Sequence, residues 1–456
     1  MSFSKPMIRK SPWQRNTLIC KPEQSGKTFV MLEKIMERLK EPDDGRETVN
    51  FILCDNNLLL TEQTSYRVEK DLSQILGGKH FVEFSSHKRT EYHSLSHILE
   101  AITKDGARNI ISCTNRQRIN DIEGIINVLN MIDKYSRTFQ YRIWLDEADK
   151  FIKGMDDTFG PLLYKYENIE MFCITATPSR LFEAYGYMNT LAIENPISEN
   201  YHGWEDNHIH IHEPSQRFIH EILSGPALSK LQPGTKWFIP GLVEKDTHHS
   251  VKNICVSYGM AVAVVNGDGI SLKIPRESDI SLDSHEGESF LEVDFILSKD
   301  DVFNTKIKQI YESYDLCKYP FVITGYNCIQ RGITISSHDF LLDFAIITGF
   351  TDISSASQIA GRLKGNQKSW ETYKPCEVYT TQQFNDIVVD YEQKSRSLGS
   401  YVFHKEMVGN GTLVFKEEWD NCHLPKQMKR FNDKSRRFYE WKIKKIDRFL
   451  RSIMCQ

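Results

Sequence analysis

The feature that most constrains the fold of this chain is an alternation of short apolar runs with longer amphipathic stretches over residues 1–198. Apolar runs bounded by polar or turn residues are typical of buried strands, and the stretches between them have the apolar spacing of helices. Strands that alternate with helices form βαβ units, so we predict a parallel sheet covered on both faces. The predicted strands are 17–20, 49–55, 109–114, 141–146 and 171–175, with helices at 28–39, 121–134 and 161–166.

A second α/β pattern follows a polar stretch at 194–207 that is typical of a linker. It begins with a predicted helix at 214–231, and a polar segment at 270–288 interrupts it like an insertion. The predicted strands of this half are 236–240, 261–266, 321–324 and 340–348. At about 100–200 residues per domain, the length is that of two or three domains. We predict domains at 1–198, 199–395 and 396–456.

Composition excludes several classes of protein. Apolar residues make up 40% of the chain and charged residues 26%, which is typical of a globular protein. No apolar run reaches the roughly 20 residues that cross a bilayer, and the N-terminus lacks the apolar core of a secretory signal. The ten cysteines form no CxxC or CxH pair, which excludes zinc-site spacing and favours reduced thiols. We therefore expect an intracellular protein, cytoplasmic or nuclear, that is not secreted and has no membrane partner.

The segment KPEQSGKT, residues 21–28, lies between a predicted strand and a predicted helix. A phosphate-binding loop needs such a turn, because backbone N–H groups and the helix dipole then face the anion. It also needs a lysine for the phosphates and a hydroxyl for Mg²⁺. Ser25, Gly26, Lys27 and Thr28 supply these features. Lys21 replaces the first glycine of the pattern, so an ordinary helix N-terminus remains the alternative.

The segment DEAD, residues 146–149, ends another predicted strand. The carboxyl end of a parallel strand is where open α/β sheets bind ligands. Asp146 there would hold Mg²⁺, and Glu147 would orient or deprotonate an attacking water. The alternative is a solvated acidic helix cap.

Together these segments resemble the motifs of the superfamily 2 helicases, in the order found in that family. The matching segments after the phosphate loop are 51–63 (motif Ia), 111–115, the DEAD letters, 175–178, 235–240 (motif IV), 321–335 (motif V) and 357–364 (motif VI). The resemblance spans about residues 13 to 366. It implies two tandem RecA-like domains with ATP and Mg²⁺ in the cleft between them.

The resemblance also implies roles for individual residues. Thr175 and Thr177 would couple the ATP site to the nucleic-acid face. Gln358 and Arg362 would reach across the cleft to the γ-phosphate, and Arg362 would act as an arginine finger, worth about 10³–10⁵ in rate. The alternative for Arg362 is a surface arginine. Catalytic roles are thus predicted for Glu147, Asp146, Arg362 and Gln358, and metal binding for Thr28 and Asp146.

The chain departs from the family pattern at several positions. Lys21 and Gln24 stand where small residues are expected in the phosphate loop, Gly365 where motif VI has a second arginine, and Thr334 where motif V commonly has an aspartate. The adenine-reading glutamine motif of the DEAD-box RNA helicases is not clearly present. The chain therefore resembles a divergent member of the superfamily.

A nucleic-acid track would cross both domains and contact phosphates through backbone amides and hydroxyls. The candidates are Gln63, Thr114, Arg116 and Thr324, for each of which an ordinary loop residue is the alternative. Residues 426–451 hold 11 basic and 3 acidic side chains, a net charge of +8 in a chain of −4. Aromatic residues among them suit base stacking with phosphate neutralisation, and they equally suit an amphipathic helix docked on the second domain.

The sequence predicts an α/β protein of two tandem RecA-like parallel-sheet domains with a basic C-terminal extension that we expect to be helical. It predicts an ATP-dependent helicase or translocase that couples Mg-ATP hydrolysis to movement on, or unwinding of, DNA or RNA. A helicase-like scaffold that binds nucleic acid with weak or no ATPase activity is the alternative, and a translocase that does not separate strands is the third possibility.

Overall fold

The computed structural model describes residues 15–40, 46–54, 81–84, 92–241, 245–266, 269–275, 290–296, 303–325 and 335–423. The predictions for Gln63, for Thr334 and for the basic segment 426–451 lie outside these residues.

The described strands lie mostly where the apolar runs predict them. They are β1 (Asn16–Cys20), β2 (Glu47–Cys54), β3 (Phe81–Glu83), β4 (Asn109–Cys113), β5 (Phe139–Asp146), β6 (Ile169–Thr175), β7 (Tyr187–Thr190), β8 (Tyr201–His202), β9 (His208–Ile211), β10 (Lys236–Phe238), β11 (Ala261–Asn266), β12 (Gly269–Pro275), β13 (Phe290–Phe295), β14 (Phe321–Gly325), β15 (Phe344–Ile347), β16 (Gly365–Asn366), β17 (Glu377–Thr380) and β18 (Leu413–Phe415).

The α-helices alternate with these strands. They are α1 (Lys27–Lys40), α2 (Leu95–Thr103), α3 (Arg116–Met131), α4 (Asp133–Thr138), α5 (Ile152–Gly154), α6 (Gly160–Lys165), α7 (Ser179–Tyr185), α8 (Phe218–Ser224), α9 (Lys245–Ser257), α10 (Phe303–Ser313), α11 (Ile353–Ala360), α12 (Gln382–Met407) and α13 (Lys416–Asn421). Short 3₁₀ turns include Ala148–Lys150 and Gly361–Leu363.

The first sheet has the strand order β18-β7-β1-β6-β5-β2-β4-β3. Its strands pair in parallel except β18, which runs antiparallel to β7 at the edge. The register pairs Cys20 with Thr175 and Asp146 with Ile174. The carboxyl ends of β1, β5 and β6 therefore meet at one edge of the sheet, where the phosphate loop, the DEAD segment and the segment after β6 all begin.

The second sheet has the order β13-β12-β11-β14-β10-β15-β17-β9. The strands from β11 to β9 pair in parallel, and β12 and β13 extend the sheet as an antiparallel edge. The prediction of a polar insertion at 270–288 is wrong at its start, because Ile270, Leu272 and Ile274 alternate with polar residues and are buried on one face of β12.

Both sheets bury apolar side chains on their two faces, as expected of sheets covered by helices. In the first sheet, Leu18 and Phe51 pack in one apolar cluster, whereas Ile19 and Ile52 pack in another with Met31 of α1. The second sheet likewise separates two apolar clusters. The α/β class with two tandem RecA-like domains is therefore confirmed.

The chain crosses back to the first domain after the second sheet is complete. Helix α12 runs unbroken through the boundary predicted at residues 395 and 396. Strand β18 then joins the first sheet, and Trp419 of α13 stacks on Phe182 of α7 with ring centroids 5.6 Å apart. The start of the predicted extension is thus packed against the first domain. Within the described part of the chain, no helix combines the length and apolar character needed to cross a bilayer.

Candidate nucleotide site between the two domains

The phosphate loop makes a tight turn between β1 and α1. Gln24 and Gly26 both have positive φ, 56° and 92°. Backbone N–H groups in such alternating conformations converge and form anion-binding nests. The Ser25 hydroxyl points back into the loop and donates to the Pro22 carbonyl at 2.7 Å. The turn therefore leaves the N-terminus of α1, where Lys27 and the half-buried Thr28 lie, facing the carboxyl edge of the sheet.

The DEAD segment places two carboxylates beside this turn. The Asp146 carboxylate accepts a hydrogen bond from the Glu147 amide at 3.1 Å. Glu147 has a left-handed backbone with φ 54°, a conformation uncommon for residues other than glycine. Its side chain is 5% exposed, and one carboxylate oxygen lies 3.8 Å from Lys27 Nζ. Glu147 is therefore not a solvated helix cap, and it is paired with the phosphate-loop lysine.

The second domain reaches the same carboxylate. Gln358 Nε2 donates to Glu147 Oε2 at 3.1 Å, and both side chains are buried. Gln358 belongs to α11, and Arg362 follows one turn later with its Nε 3.4 Å from the Gln358 carbonyl oxygen. Arg362 is 4% exposed, which rules out a surface arginine. Lys27, Glu147, Gln358 and Arg362 thus form one connected group across the domain boundary.

Asp149, the last letter of DEAD, is the centre of a second buried group. Its carboxylate accepts hydrogen bonds from Thr175 Oγ1 at 2.7 Å and from Thr177 Oγ1 at 3.1 Å. Ser354 of α11 donates to the same carboxylate at 3.3 Å. The segment after β6 is therefore tied both to the DEAD segment and to the second domain.

Helix α12 holds this segment from a further side. Ser395 Oγ donates to the Ala176 carbonyl at 2.8 Å, and the Tyr391 hydroxyl donates to Ser179 Oγ at 2.8 Å. Trp419 of α13 also donates to Ser179 through its indole nitrogen at 3.1 Å. The segment from Thr175 to Ser179 thus lies at the junction of both domains and the returning C-terminal chain.

The residues predicted to contact nucleic acid are dispersed. Thr114 and Arg116 follow β4, and the Arg116 side chain is exposed. Thr324 is fully buried in β14, a strand paired on both sides, and its hydroxyl makes no hydrogen bond among the described residues. Thr324 therefore presents no exposed surface in this structure, and its contact with nucleic acid stays a prediction.

The predicted metal ligands have suitable chemistry. Mg²⁺ prefers oxygen ligands and is commonly held by few protein groups, together with water and substrate phosphates. The Thr28 hydroxyl and the Asp146 carboxylate supply such oxygens at the edge where the phosphate loop begins. The described residues contain no group of three or more His, Cys, Asp or Glu side chains arranged for a metal.

Several residues of this region were not found from the sequence. Asp149 belongs to the DEAD segment. Its position in the sequence next to Asp146 and Glu147 could have identified it as a candidate site residue. Ser354, Glu23 and Lys364 contact partners far away in the sequence. Glu23 and Lys364 lie inside the phosphate loop and the motif VI segment, but neither motif predicts that they pair with each other.

The chain is similar to solved structures that include the following three. Mss116p bound to ssRNA and AMP-PNP is 14% identical with a TM-score of 0.44, covering 80% of this chain and 66% of that one. A DEAD box protein from the hyperthermophile Methanococcus jannaschii is 14% identical with a TM-score of 0.38, covering 84% and 86%. The ATP-dependent Type ISP restriction-modification enzyme LlaBIII bound to DNA is 12% identical with a TM-score of 0.48, covering 92% and 32%.

No model of a protein family and no curated protein matches this chain. A further similar structure is that of the DEAD-box helicase Mss116 bound to ssRNA and UDP-BeF.

Proposed function

We propose that this chain is a nucleic-acid-dependent ATPase of the superfamily 2 helicase type, acting as a helicase or translocase. The observation that carries the proposal is the position of Glu147, which contacts Lys27 of the phosphate loop and Gln358 of the other domain. A carboxylate held between a phosphate-loop lysine and the opposite domain is placed to act on a water at the end of a triphosphate.

In this proposal the residues that meet at the domain boundary each have a role in hydrolysis. Lys27 exchanges Glu147 for the β- and γ-phosphates when ATP binds, which frees the carboxylate to accept a proton from the attacking water. The Gln358 amide orients that carboxylate, and Arg362 neutralises charge on the transferring phosphoryl group. Thr28 and Asp146 would hold Mg²⁺, which neutralises phosphate charge when it is bound.

The proposed coupling to nucleic acid runs through Asp149. Its hydrogen bonds to Thr175, Thr177 and Ser354 cross from the DEAD segment to the second domain. Closure and opening of the cleft would therefore move the segment after β6, and alternating closure would advance a bound strand. Thr114 and Arg116 stay candidates for contacts with that strand.

A scaffold with weak or no ATPase activity is the second candidate. The direct contact between the phosphate loop and the other domain favours it, because the Lys364 ammonium lies 2.9 Å from the Glu23 carboxylate and joins the two domains through protein groups alone. Lys21 and Gln24, which stand where the family pattern has small residues in the phosphate loop, also favour the scaffold.

The test is ATP hydrolysis measured with no polymer, ssDNA, dsDNA and ssRNA in parallel, on the full chain and on Lys27→Ala. We expect one polymer to stimulate turnover, and Lys27→Ala to abolish turnover while strand binding is retained. Absence of turnover with every polymer, with strand binding intact, would favour the scaffold. Equal turnover in Lys27→Ala would remove the assignment of the phosphate loop.

A further inference from the structure

A buried cluster of charges joins the phosphate loop to the second domain beside the proposed nucleotide site. Glu23 of the loop is 3% exposed, and Lys364, which follows the 3₁₀ turn after α11, is fully buried. Lys364 Nζ lies 2.9 Å from Glu23 Oε2 and 3.1 Å from Glu392 Oε2 of α12. Lys364 is thus shared between a carboxylate of its own domain and one of the first domain.

The charges of the cluster are balanced. Arg396 Nη1 lies 3.4 Å from the second carboxylate oxygen of Glu392, and the Ser357 hydroxyl donates to Glu23. Burial alone would raise the pKa of Glu23, but Lys364 and Lys27 outweigh it and the pKa lies below its usual value. All the charged groups of the cluster therefore have partners, which is the condition for charges to be stable inside a protein.

Backbone packing brings the two segments unusually close. A Cβ atom at Gly361 would lie 2.7 Å from the Glu23 Cβ, and one at Gly365 would lie 3.3 Å from the Gln24 Cβ. Gly365 also has a φ of +146°, a conformation that strongly favours glycine. The turn that carries Arg362 is therefore seated directly on the phosphate loop, and larger residues at these two positions would keep them apart.

The anchoring of Lys364 has a consequence for Arg362. The two residues flank Leu363, so a fixed Lys364 limits where the guanidinium of Arg362 can lie. Lys364 itself is neutralised by two carboxylates, and Arg362 is the other cation of this turn. The sequence has Gly365 where the family resemblance implies another arginine.

We propose that Glu23 and Lys364 form a latch that closes the two domains on each other and positions Arg362 over the phosphate loop. The role of Arg362 rests on the proposed function, whereas the closure does not. Glu23 and Lys364 are positioning residues in this account, and neither needs to touch the phosphates.

The energetics of the pair favour a latch that can release. Glu23→Gln removes the attraction across the domain boundary and leaves Lys364 paired with Glu392, whereas Lys364→Met removes the buried cation that faces both carboxylates. Opening the cleft hydrates both groups, so the loss of either partner shifts the equilibrium to the open form. A charge-retaining replacement, Lys364→Arg, keeps the attraction.

The first arm of the test is small-angle X-ray scattering of the full chain without nucleotide, on wild type, Glu23→Gln, Lys364→Met and Lys364→Arg. The matched control is Glu170→Gln, which removes the carboxylate of a partly buried pair inside the first domain, 3.1 Å from Arg142 Nε. We expect Glu23→Gln and Lys364→Met to have a larger radius of gyration than wild type, and Lys364→Arg and Glu170→Gln to match wild type. Far-UV circular dichroism establishes that each variant is folded.

The second arm is steady-state ATP hydrolysis of the same proteins. A misplacement of about 1 Å costs about 10²-fold in rate, so we expect Glu23→Gln to lower kcat by about 10- to 10²-fold with little change in KM. Lys364→Arg should restore kcat relative to Lys364→Met. A radius of gyration in Glu23→Gln and Lys364→Met equal to that of wild type would overturn the latch, whatever the ATPase result. Absence of turnover in wild type would instead count against the proposed function.

Discussion

The Gln358 amide donates a hydrogen bond to the Glu147 carboxylate across the domain boundary, with 3.1 Å between the two atoms. Glu147 also faces Lys27 at 3.8 Å, so one carboxylate contacts both the phosphate loop and the opposite domain. Under the proposed function, a group in this position would respond both to a bound nucleotide and to domain closure. Hydrolysis would then be confined to the closed state.

The hydrogen bond from Thr175 to Asp149 is predicted to stabilise the junction between the domains. Thr175→Val keeps the shape of the side chain and removes a hydroxyl that bonds a charged carboxylate at 2.7 Å. Hydrogen bonds to charged groups are worth about 1.5–3 kcal/mol, and we expect a loss of that size in the free energy of unfolding in urea. The matched control is Thr190→Val, where the hydroxyl donates to a neutral carbonyl at 3.4 Å. An equal loss in both variants would contradict the special role of Asp149.

Gln24→Gly is predicted to stabilise the phosphate loop. Gln24 has a φ of 56°, and a left-handed backbone costs a residue other than glycine about 1–2 kcal/mol. The greater chain entropy of glycine in the unfolded state offsets part of the gain, so we expect the free energy of unfolding to rise by up to about 1 kcal/mol. Gln24→Ala removes the same polar side-chain atoms and keeps the Cβ atom, and it should show no such rise. A lower stability of Gln24→Gly than of Gln24→Ala would contradict the inferred backbone strain at Gln24.

His202 is predicted to make folding stability depend on pH. Burial lowers the pKa of His202, and its ring nitrogens contact the Tyr373 hydroxyl at 2.8 Å and the Asn207 side chain at 2.9 Å. Asp206 and Glu392 act in the opposite direction, and Lys368 acts with burial. The unfolded chain therefore binds a proton near pH 6.5 that the folded chain does not. The contribution of His202 to stability is then fully present above about pH 6.5 and is lost as the pH falls from there toward the lowered pKa of the folded protein.

The measurement is chemical unfolding of wild type and His202→Gln at pH 7.5 and 5.5. The variant is expected to be less stable at both values, but to lose less stability than wild type between them. Identical losses of stability in the two proteins would show that His202 is not the source of the pH dependence.

The basic segment is predicted to contribute to nucleic-acid affinity through its charge. Deleting residues 426–456 removes the +8 of residues 426–451, and the slope of log K against log salt falls by about 0.7–0.9 for every phosphate that is no longer neutralised. We expect weaker binding and a flatter slope. Replacing Phe438 and Trp441 by Ala should weaken binding at an unchanged slope if these rings stack on bases. An unaltered slope after the deletion would identify the segment as a packing element.

The sequence predicted the fold well where elements are long and local patterns are strong. The apolar runs around Leu18, Phe51 and Ile143 are buried strands of the first sheet, as expected from their period. The short strand β3 was missed because three residues are too few to show the alternation of apolar and polar residues that marks a strand. Strand β12 was taken for part of an insertion because its polar face was given more weight than its alternation.

The site could be predicted only as far as its motifs. Lys27, Glu147, Gln358 and Arg362 lie in one group, as the order of the motifs implies. The contacts of Lys364 were beyond prediction, because its two carboxylate partners are distant in the sequence and meet only when both domains and α12 are in place. The burial of Thr324 could not be predicted either, because the sequence does not show where the strand stops and the loop after it begins.

The measurement that tests the central claim most directly is single-turnover ATP hydrolysis by Arg362→Ala beside wild type, at saturating nucleic acid, with nucleotide affinity measured on the same preparations. If residues of both domains act on one triphosphate, hydrolysis slows by about 10³-fold or more while ATP still binds. Hydrolysis at the wild-type rate in Arg362→Ala would contradict a catalytic site shared between the two domains.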